Sequence, residues 1–86
     1  LDEGEPTADP GPEDEVAAGH LAREIQDGLM ALSEDYRTVI VLRHFSDLSY
    51  RQISDILRIP EKTVKSRLYS ARQLMKDQLV ANGISL

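Results

Sequence analysis

Apolar residues recur at helical spacing in the first half of the chain, in two segments near residues 14–32 and 34–44. The apolar stripe of the first segment comprises Val16, Leu21, Ile25, Leu29 and Leu32. The second segment has four consecutive apolar residues, Val39 to Leu42, which a buried strand could also explain. Ser33 is a favourable helix N-cap and the chain offers no second strand, so we expect a helix here. We expect Phe45 to fill the gap where the chain turns after this helix.

Two more helical segments follow, at about residues 50–57 and 61–79. Ser49 and Gln52 form the S-x-x-Q pattern of a capping box at the start of the third helix. Its expected apolar face consists of Ile53, Ile56 and Leu57. Pro60 ends this helix, because the residue before a proline is pushed out of the α region. The short third helix, the tight turn and the longer fourth helix form a C-terminal helix-turn-helix. Together with the first two segments they predict an all-α, four-helix domain.

The fourth helix has two chemically different faces. Val64, Leu68, Ala71 and Met75 form a stripe that we expect to be buried. The opposite side carries cations, hydroxyls, an amide and one aromatic ring, namely Lys62, Ser66, Tyr69, Ser70 and Gln73, with Lys65 beside them. Such a face suits base edges and phosphates in the major groove of DNA, which predicts a recognition helix from Glu61 onward. A simple solvated face of an amphipathic helix is the alternative.

The charge is divided unevenly along the chain. The 86 residues carry a net charge of -5, but residues 1–15 alone hold seven acids and no base. Residues 49–79 hold seven bases and three acids, a net charge of +4, and this asymmetry points to nucleic acid. We interpret residues 1–13 as an acidic flexible linker, 14–79 as the folded domain, and 80–86 as a frayed tail after Asn82-Gly83. Whether the acidic segment is a plain linker or competes with DNA for the basic helix is left open.

Several classes of protein are disfavoured by what the sequence lacks. It has no cysteine, no phosphate-binding glycine motif and no cluster of His, Asp and Glu at ligand spacing, so we expect neither an enzyme nor a metal or cofactor site. It has no apolar run of the roughly 18 residues typical of a membrane span and no secretory signal, so we expect a soluble cytoplasmic protein. Because it begins with Leu1, we expect it to be part of a longer protein.

Two motifs identify a family resemblance. Residues 63–68 read T-V-K-S-R-L and residues 71–74 read A-R-Q-L, preceded at residues 32–42 by L-S-E-D-Y-R-T-V-I-V-L. This pattern resembles the C-terminal domain, region 4, of bacterial sigma factors, most closely the extracytoplasmic-function (ECF) class, over about residues 21–79. The chain departs from the family pattern at Ser33, where proline is common, at Ser54 and Arg58, where alanine and glycine are common, and at Ser70, where arginine is frequent.

The resemblance implies recognition of the -35 promoter element in double-stranded DNA by a subunit bound to RNA polymerase core. The residues that would approach bases are Lys65, Ser66, Tyr69 and Ser70. Those better placed for the DNA backbone or for supporting helix ends are Arg51, Gln52, Lys62, Thr63, Arg67 and Arg72. The family also implies two protein partners, the flap of the polymerase β subunit and an anti-sigma factor.

Two other functions are compatible with the helical pattern. Effector domains of response regulators also use T-V-K on the recognition helix, but they tend to continue with histidine, where Arg67 stands here. A helical protein-interaction module without a nucleic-acid ligand is the other alternative. The salt dependence of binding to duplex DNA distinguishes this module from a DNA-binding protein, because only phosphate contacts make the affinity fall steeply as salt rises.

Overall fold

A computed structural model describes residues 12–84 of the chain, and within them it contains helices and no strand. The α-helices are α1 (Pro12–Ala31), α2 (Glu34–Ile40), α3 (Tyr50–Leu57) and α4 (Glu61–Ala81), with a π-helical segment (Val41–Phe45) continuing α2. This confirms the prediction of a four-helix all-α fold ending in a helix-turn-helix. The predicted linker lies outside the described residues except at 12 and 13, which already belong to α1. None of the described helices is both long and apolar enough for a membrane span.

The hydrophobic core forms where α1, α2 and α3 pack around α4. Its buried members are Leu32, Val39, Ile40, Ile53, Val64, Leu68 and Ala71. The predicted inner stripe of α4 is therefore confirmed, with Met75 half-buried at its end. Because this stripe faces the core, the opposite side of α4 is left to the solvent.

The π-helical segment explains one wrong prediction. Its widened turn is closed by the Ser46 backbone N–H, which donates to the Val41 carbonyl at 3.0 Å. This i→i+5 bond changes the direction of the residues that follow, compared with a regular α-helix. Phe45, predicted to fill the gap at the turn, is instead 65% exposed. It projects towards a groove beside α1 and the end of α4.

Two residues of the predicted apolar faces lie at the solvent. Leu21 on α1 and Ile56 on α3 are exposed, at 41% and 57% respectively. The domain is small, so only one narrow side of each helix reaches the core: on α3 Ile53 is buried, and near the end of α1 Leu29 is half-buried, followed by buried Leu32 just after the helix. Helical spacing locates an apolar side correctly but does not say how much of it a neighbour covers.

Two hydrogen-bonded caps hold the ends of α1 and α4. Arg37 donates from Nε to the Leu29 carbonyl at 2.9 Å and from Nη2 to the Leu32 carbonyl at 2.9 Å, which satisfies free carbonyls at the end of α1. At the end of α4, Gly83 has φ +90° and the Ile84 N–H donates to the Leu79 carbonyl at 2.9 Å. This is a Schellman cap, which satisfies carbonyls at the end of α4 within the segment predicted to be a frayed tail.

The turn of the helix-turn-helix passes through a left-handed residue. Arg58 has φ 58° and ψ 47°, a conformation that costs a side chain with a Cβ about 1–2 kcal/mol. The Ile59 N–H donates to the Ser54 carbonyl at 3.2 Å, and the Ser54 hydroxyl donates to the Ile59 carbonyl. Two of the four positions at which the sequence departs from the family pattern, Ser54 and Arg58, therefore meet in one turn, where the serine adds a bond across the strained residue.

We expect Arg58→Gly to raise the free energy of unfolding by about 0.5–1 kcal/mol, because glycine adopts this conformation without strain but loses more entropy on folding. Arg58→Ala is the matched control: it removes the same side-chain charge and keeps the strain. Urea denaturation followed by circular dichroism measures both. Equal stability of the glycine and alanine variants would contradict a strained turn.

Candidate nucleic-acid interface

The exposed side of α4 forms a polar surface on the N-terminal half of the helix. Lys62, Lys65 and Ser66 are exposed, and the Tyr69 ring is 70% exposed although it is aromatic. Beneath them Val64, Leu68 and Ala71 are fully buried, so the backbone that carries the polar side chains is fixed by the core. A rigid helix with long polar side chains on one side is the form that reads base edges in a major groove.

The N-terminus of α3 lies beside this surface and is closed by its own side chains. The Gln52 N–H donates to the Ser49 hydroxyl at 3.1 Å, and the Ser49 N–H donates to Gln52 Oε1 at 2.8 Å. The predicted capping box is therefore confirmed. With its oxygen engaged, the Gln52 side chain presents its amide N–H groups, and Arg51 beside it is exposed. Both are donors suited to phosphate oxygens.

Tyr50 links the start of α3 to the recognition helix. The Arg43 guanidinium carbon lies 5.5 Å and the Lys65 ammonium nitrogen 5.8 Å from the centroid of the Tyr50 ring, both within cation–π range. Arg43 also donates to the Leu48 carbonyl at 3.1 Å and lies 3.8 Å from an Asp47 carboxylate oxygen. Arg43 is thus tied to the loop before α3, whereas Lys65 reaches the ring from α4.

The two remaining arginines predicted for DNA contact interact with other helices. Arg67 Nη1 lies 4.0 Å from Asp35 Oδ1 on α2, and Arg72 Nε donates to His44 Nε2 at 3.1 Å. Desolvation, followed by the charges of Arg72 and Arg43, lowers the pKa of His44, so the imidazole is neutral near pH 7 and can accept this bond. Protonation of His44 would remove the acceptor. Any stability that this contact contributes is therefore present above the ordinary histidine pKa and is lost as the pH falls through the lowered value.

The predicted site residues therefore separate into an exposed set and a set engaged within the fold. The exposed ones are Arg51, Gln52, Lys62, Lys65, Ser66 and Tyr69. Thr63 and Ser70 are half-buried, while Arg67 and Arg72 bind α2 and the π-helical segment. Sequence reasoning did not anticipate Arg43 or Tyr50, because the approach of Arg43 and Lys65 to the Tyr50 ring is a tertiary contact that no periodicity reports.

An apolar groove, formed by α1, the π-helical segment and the C-terminal half of α4, is the other distinctive surface. It consists of two adjoining depressions of about 500 and 580 Å³. Ile25, Leu29 and Phe45 line both of them. Met75 and Leu79 of α4 complete the first depression, and Met30 and Val41 complete the second. Exposed Phe45, Met30 and Val41 together make an apolar patch of the kind that marks protein interaction sites.

Within residues 12–84, the structure brings together no group of three or more His, Cys, Asp or Glu residues that could hold a metal ion. The two surfaces themselves offer hydrogen-bonding groups, positive charges and exposed apolar side chains.

Comparison with known proteins agrees with this geometry. Residues 22–75, which run from α1 into the second half of α4, match the family described as Sigma-70, region 4. The match thus covers the core, α3, the turn and most of α4, and most of the apolar groove.

Curated relatives point to the same family. The chain is 43% identical over 68 residues to the ECF RNA polymerase sigma factor SigW of Bacillus subtilis, which is 79% of this chain and 36% of that protein. It is 37% identical over 68 residues to the ECF RNA polymerase sigma-E factor of Haemophilus influenzae, with the same shares of each chain covered. It is 34% identical over 78 residues, 91% of this chain and 30% of the relative, to the ECF sigma factor SigE of Mycolicibacterium smegmatis. The chain thus spans about a third of the length of these relatives.

Proposed function

The chain belongs to the sigma-70 region 4 family, and from that premise we propose that it reads the -35 element of a promoter while docked on RNA polymerase at transcription initiation. The family is non-enzymatic, so the proposed activity is binding alone. The observation that carries the proposal is the exposed polar side of α4, held rigidly over a fully buried stripe. A cytoplasmic location, where promoter DNA is found in bacteria, is part of the same proposal.

In this proposal, the exposed side of α4 lies in the major groove. Lys65, Ser66, Tyr69 and Ser70 approach base edges, because they occupy the middle of the exposed side or its border. Hydrogen-bond donors beside the walls of the DNA major groove contact phosphates. These contacts fix the register of the helix without reading sequence. These donors are Arg51, Gln52, Lys62 and Thr63. Arg67 and Arg72 join them when Arg67 leaves Asp35 and Arg72 leaves His44 to contact phosphate oxygens.

The apolar groove is the proposed docking site for RNA polymerase, through the flap of the β subunit. Phe45 and its neighbours offer a concave apolar surface of a size that accepts one face of an amphipathic helix. The groove lies on the side of α1 and the C-terminal half of α4, whereas the DNA surface lies on the N-terminal half of α4. DNA and polymerase can therefore be bound at the same time. An anti-sigma factor that covered either surface would block transcription.

Lys65→Ala should change the preferred base in a narrow part of the DNA site, whereas Arg51→Ala should weaken binding to all DNA sequences alike. A good base contact carries about 1–3 kcal/mol of discrimination, of which a lysine supplies the lower part. Loss of one phosphate contact should reduce the magnitude of the salt slope by about 1. Selection from a randomised duplex library, with the 86-residue chain alone and with polymerase core added, measures the preference. An unchanged preference in the Lys65 variant would contradict the placement of the reading surface.

The family match favours a sigma factor over the response-regulator alternative. A protein-interaction module without a nucleic-acid ligand remains the second candidate, because the apolar groove alone would serve one. Only the cations of the proposed phosphate-contacting set release counterions, and these are Arg51, Lys62, Arg67 and Arg72. Four such contacts predict a slope of about -3.6 in a plot of log affinity against log salt, and a pure protein adaptor predicts none. Titration of a promoter duplex between 50 and 200 mM salt therefore decides between the two.

A further inference from the structure

The ring of Tyr50 contacts two cations from different parts of the chain. Lys65 comes from the recognition helix and Arg43 from the π-helical segment, and both head groups lie within 6 Å of the ring centroid. The faces of an aromatic ring carry partial negative charge, so the Tyr50 ring attracts both head groups.

The Tyr50 ring is a fixed support. Tyr50 is half-buried, packs against the hydrophobic core and is the first residue of α3, directly after the Ser49 cap. A side chain with two torsion angles, held by the core at one end, loses little further freedom when it binds a cation. Lys65, in contrast, is exposed and has a flexible four-carbon stem, so without a support its ammonium group would sample many positions.

Arg43 and Lys65 differ in how far they are committed to the fold. The guanidinium of Arg43 is held by the Leu48 carbonyl and by Asp47 in addition to the ring. Among the described contacts, Lys65 has the ring alone. The interaction with Tyr50 therefore decides where the Lys65 ammonium group is found before DNA arrives, while Arg43 would keep its place without the ring.

We propose that Tyr50 is a positioning residue for promoter recognition: its ring preorganises Lys65 so that the ammonium group meets one base pair of the site. This inference rests on the proposed function, since it assigns to Tyr50 a share of the specificity that Lys65 supplies. Preorganisation lowers the cost of ordering a side chain on binding, and the gain appears only for the base that the ordered side chain fits. Tyr50 thus influences sequence preference without touching DNA.

The test compares Tyr50→Leu, which keeps the apolar bulk and removes the ring, with Tyr50→Phe, which keeps the ring and removes the hydroxyl. In library selection, Tyr50→Leu should reduce discrimination at the Lys65-dependent base pair about two- to five-fold, the range of an exposed cation–π contact. Tyr50→Phe should retain this discrimination. The salt dependence of DNA affinity should be the same in both variants. In a Lys65→Met background, Tyr50→Leu should have no further effect on that base pair.

A measurement without DNA separates this inference from the proposed function. In the free 86-residue chain, ring current should shift the Lys65 Hε protons upfield in nuclear magnetic resonance spectra of the wild type and Tyr50→Phe, and not of Tyr50→Leu. Loss of discrimination in Lys65→Met but not in Tyr50→Leu would overturn the inference and leave the proposed function intact. If the wild type selected no sequence although the ring shift was present, the proposed function would fail, and the Tyr50–Lys65 contact would be structural only.

Discussion

Truncation of Leu68 to alanine is expected to lower the free energy of unfolding by about 2–5 kcal/mol, enough to leave much of the domain unfolded at 37 °C. Leu68 is 0% exposed and lies in the middle of the buried stripe of α4, in the same cluster as Ile53 and Val39. Alanine would leave a cavity at the junction of three helices. Small domains have a total stability near the lower end of the usual range of about 5–15 kcal/mol, so the loss is a large fraction of the whole.

Thermal and urea denaturation followed by circular dichroism measures the effect, with Leu74→Ala as the matched control. Leu74 lies on the same helix but is 50% exposed, so its truncation should change stability by no more than about 0.5 kcal/mol. DNA binding by the Leu68 variant should fall only in proportion to the unfolded fraction. A melting temperature equal to that of the wild type would mean that Leu68 does not contribute to the core.

Phe45→Asp is expected to weaken docking on RNA polymerase about 30-fold while leaving the fold unchanged. The ring is 65% exposed and lines both depressions of the apolar groove, so its loss removes little core packing. A central aromatic anchor of an interface is commonly worth 2 kcal/mol or more, and a buried carboxylate adds a desolvation cost. Binding of the 86-residue chain to polymerase core, followed by surface plasmon resonance, measures the affinity.

Ile56→Asp provides the control for this prediction. Ile56 is another exposed apolar residue, at 57%, but it lies on α3 and does not line the groove. The Ile56 variant should bind polymerase as the wild type does, and both variants should bind duplex DNA with unchanged affinity. The reverse result, normal binding by the Phe45 variant and impaired binding by the Ile56 variant, would move the docking surface to α3.

The two helices of the helix-turn-helix could be predicted from sequence because their signals are local. The capping box at Ser49, the stop at Pro60 and the spacing of Val64, Leu68 and Ala71 each involve residues within a few turns of one another. In each case a short stretch of chain determines its own geometry. At Arg58, where the family usually has glycine, the sequence allowed either a strained residue or a slightly different turn, and the structure has the strained residue.

The features that sequence reasoning missed depend on contacts between distant residues or on a change of helical period. The π-helical segment departs from the regular 100° per residue, and Phe45 at its end, predicted to fill the gap at the turn, is exposed. The pairs Arg67–Asp35 and Arg72–His44 are 32 and 28 residues apart, and periodicity carries no information about such pairs. The apolar groove was missed for the same reason, because it is a property of three helices together.

The continuity of α4 has a mechanical consequence. Its 21 residues contain neither glycine nor proline, so the helix is a stiff rod about 31 Å long. Its N-terminal half carries the polar surface, and Met75 and Leu79 near its other end line the groove. With no hinge between them, a duplex and a protein held at these two places would keep a constant separation and a constant angle. In the proposed function, a change in the geometry between promoter DNA and polymerase would then come from the DNA or from the polymerase, and not from α4.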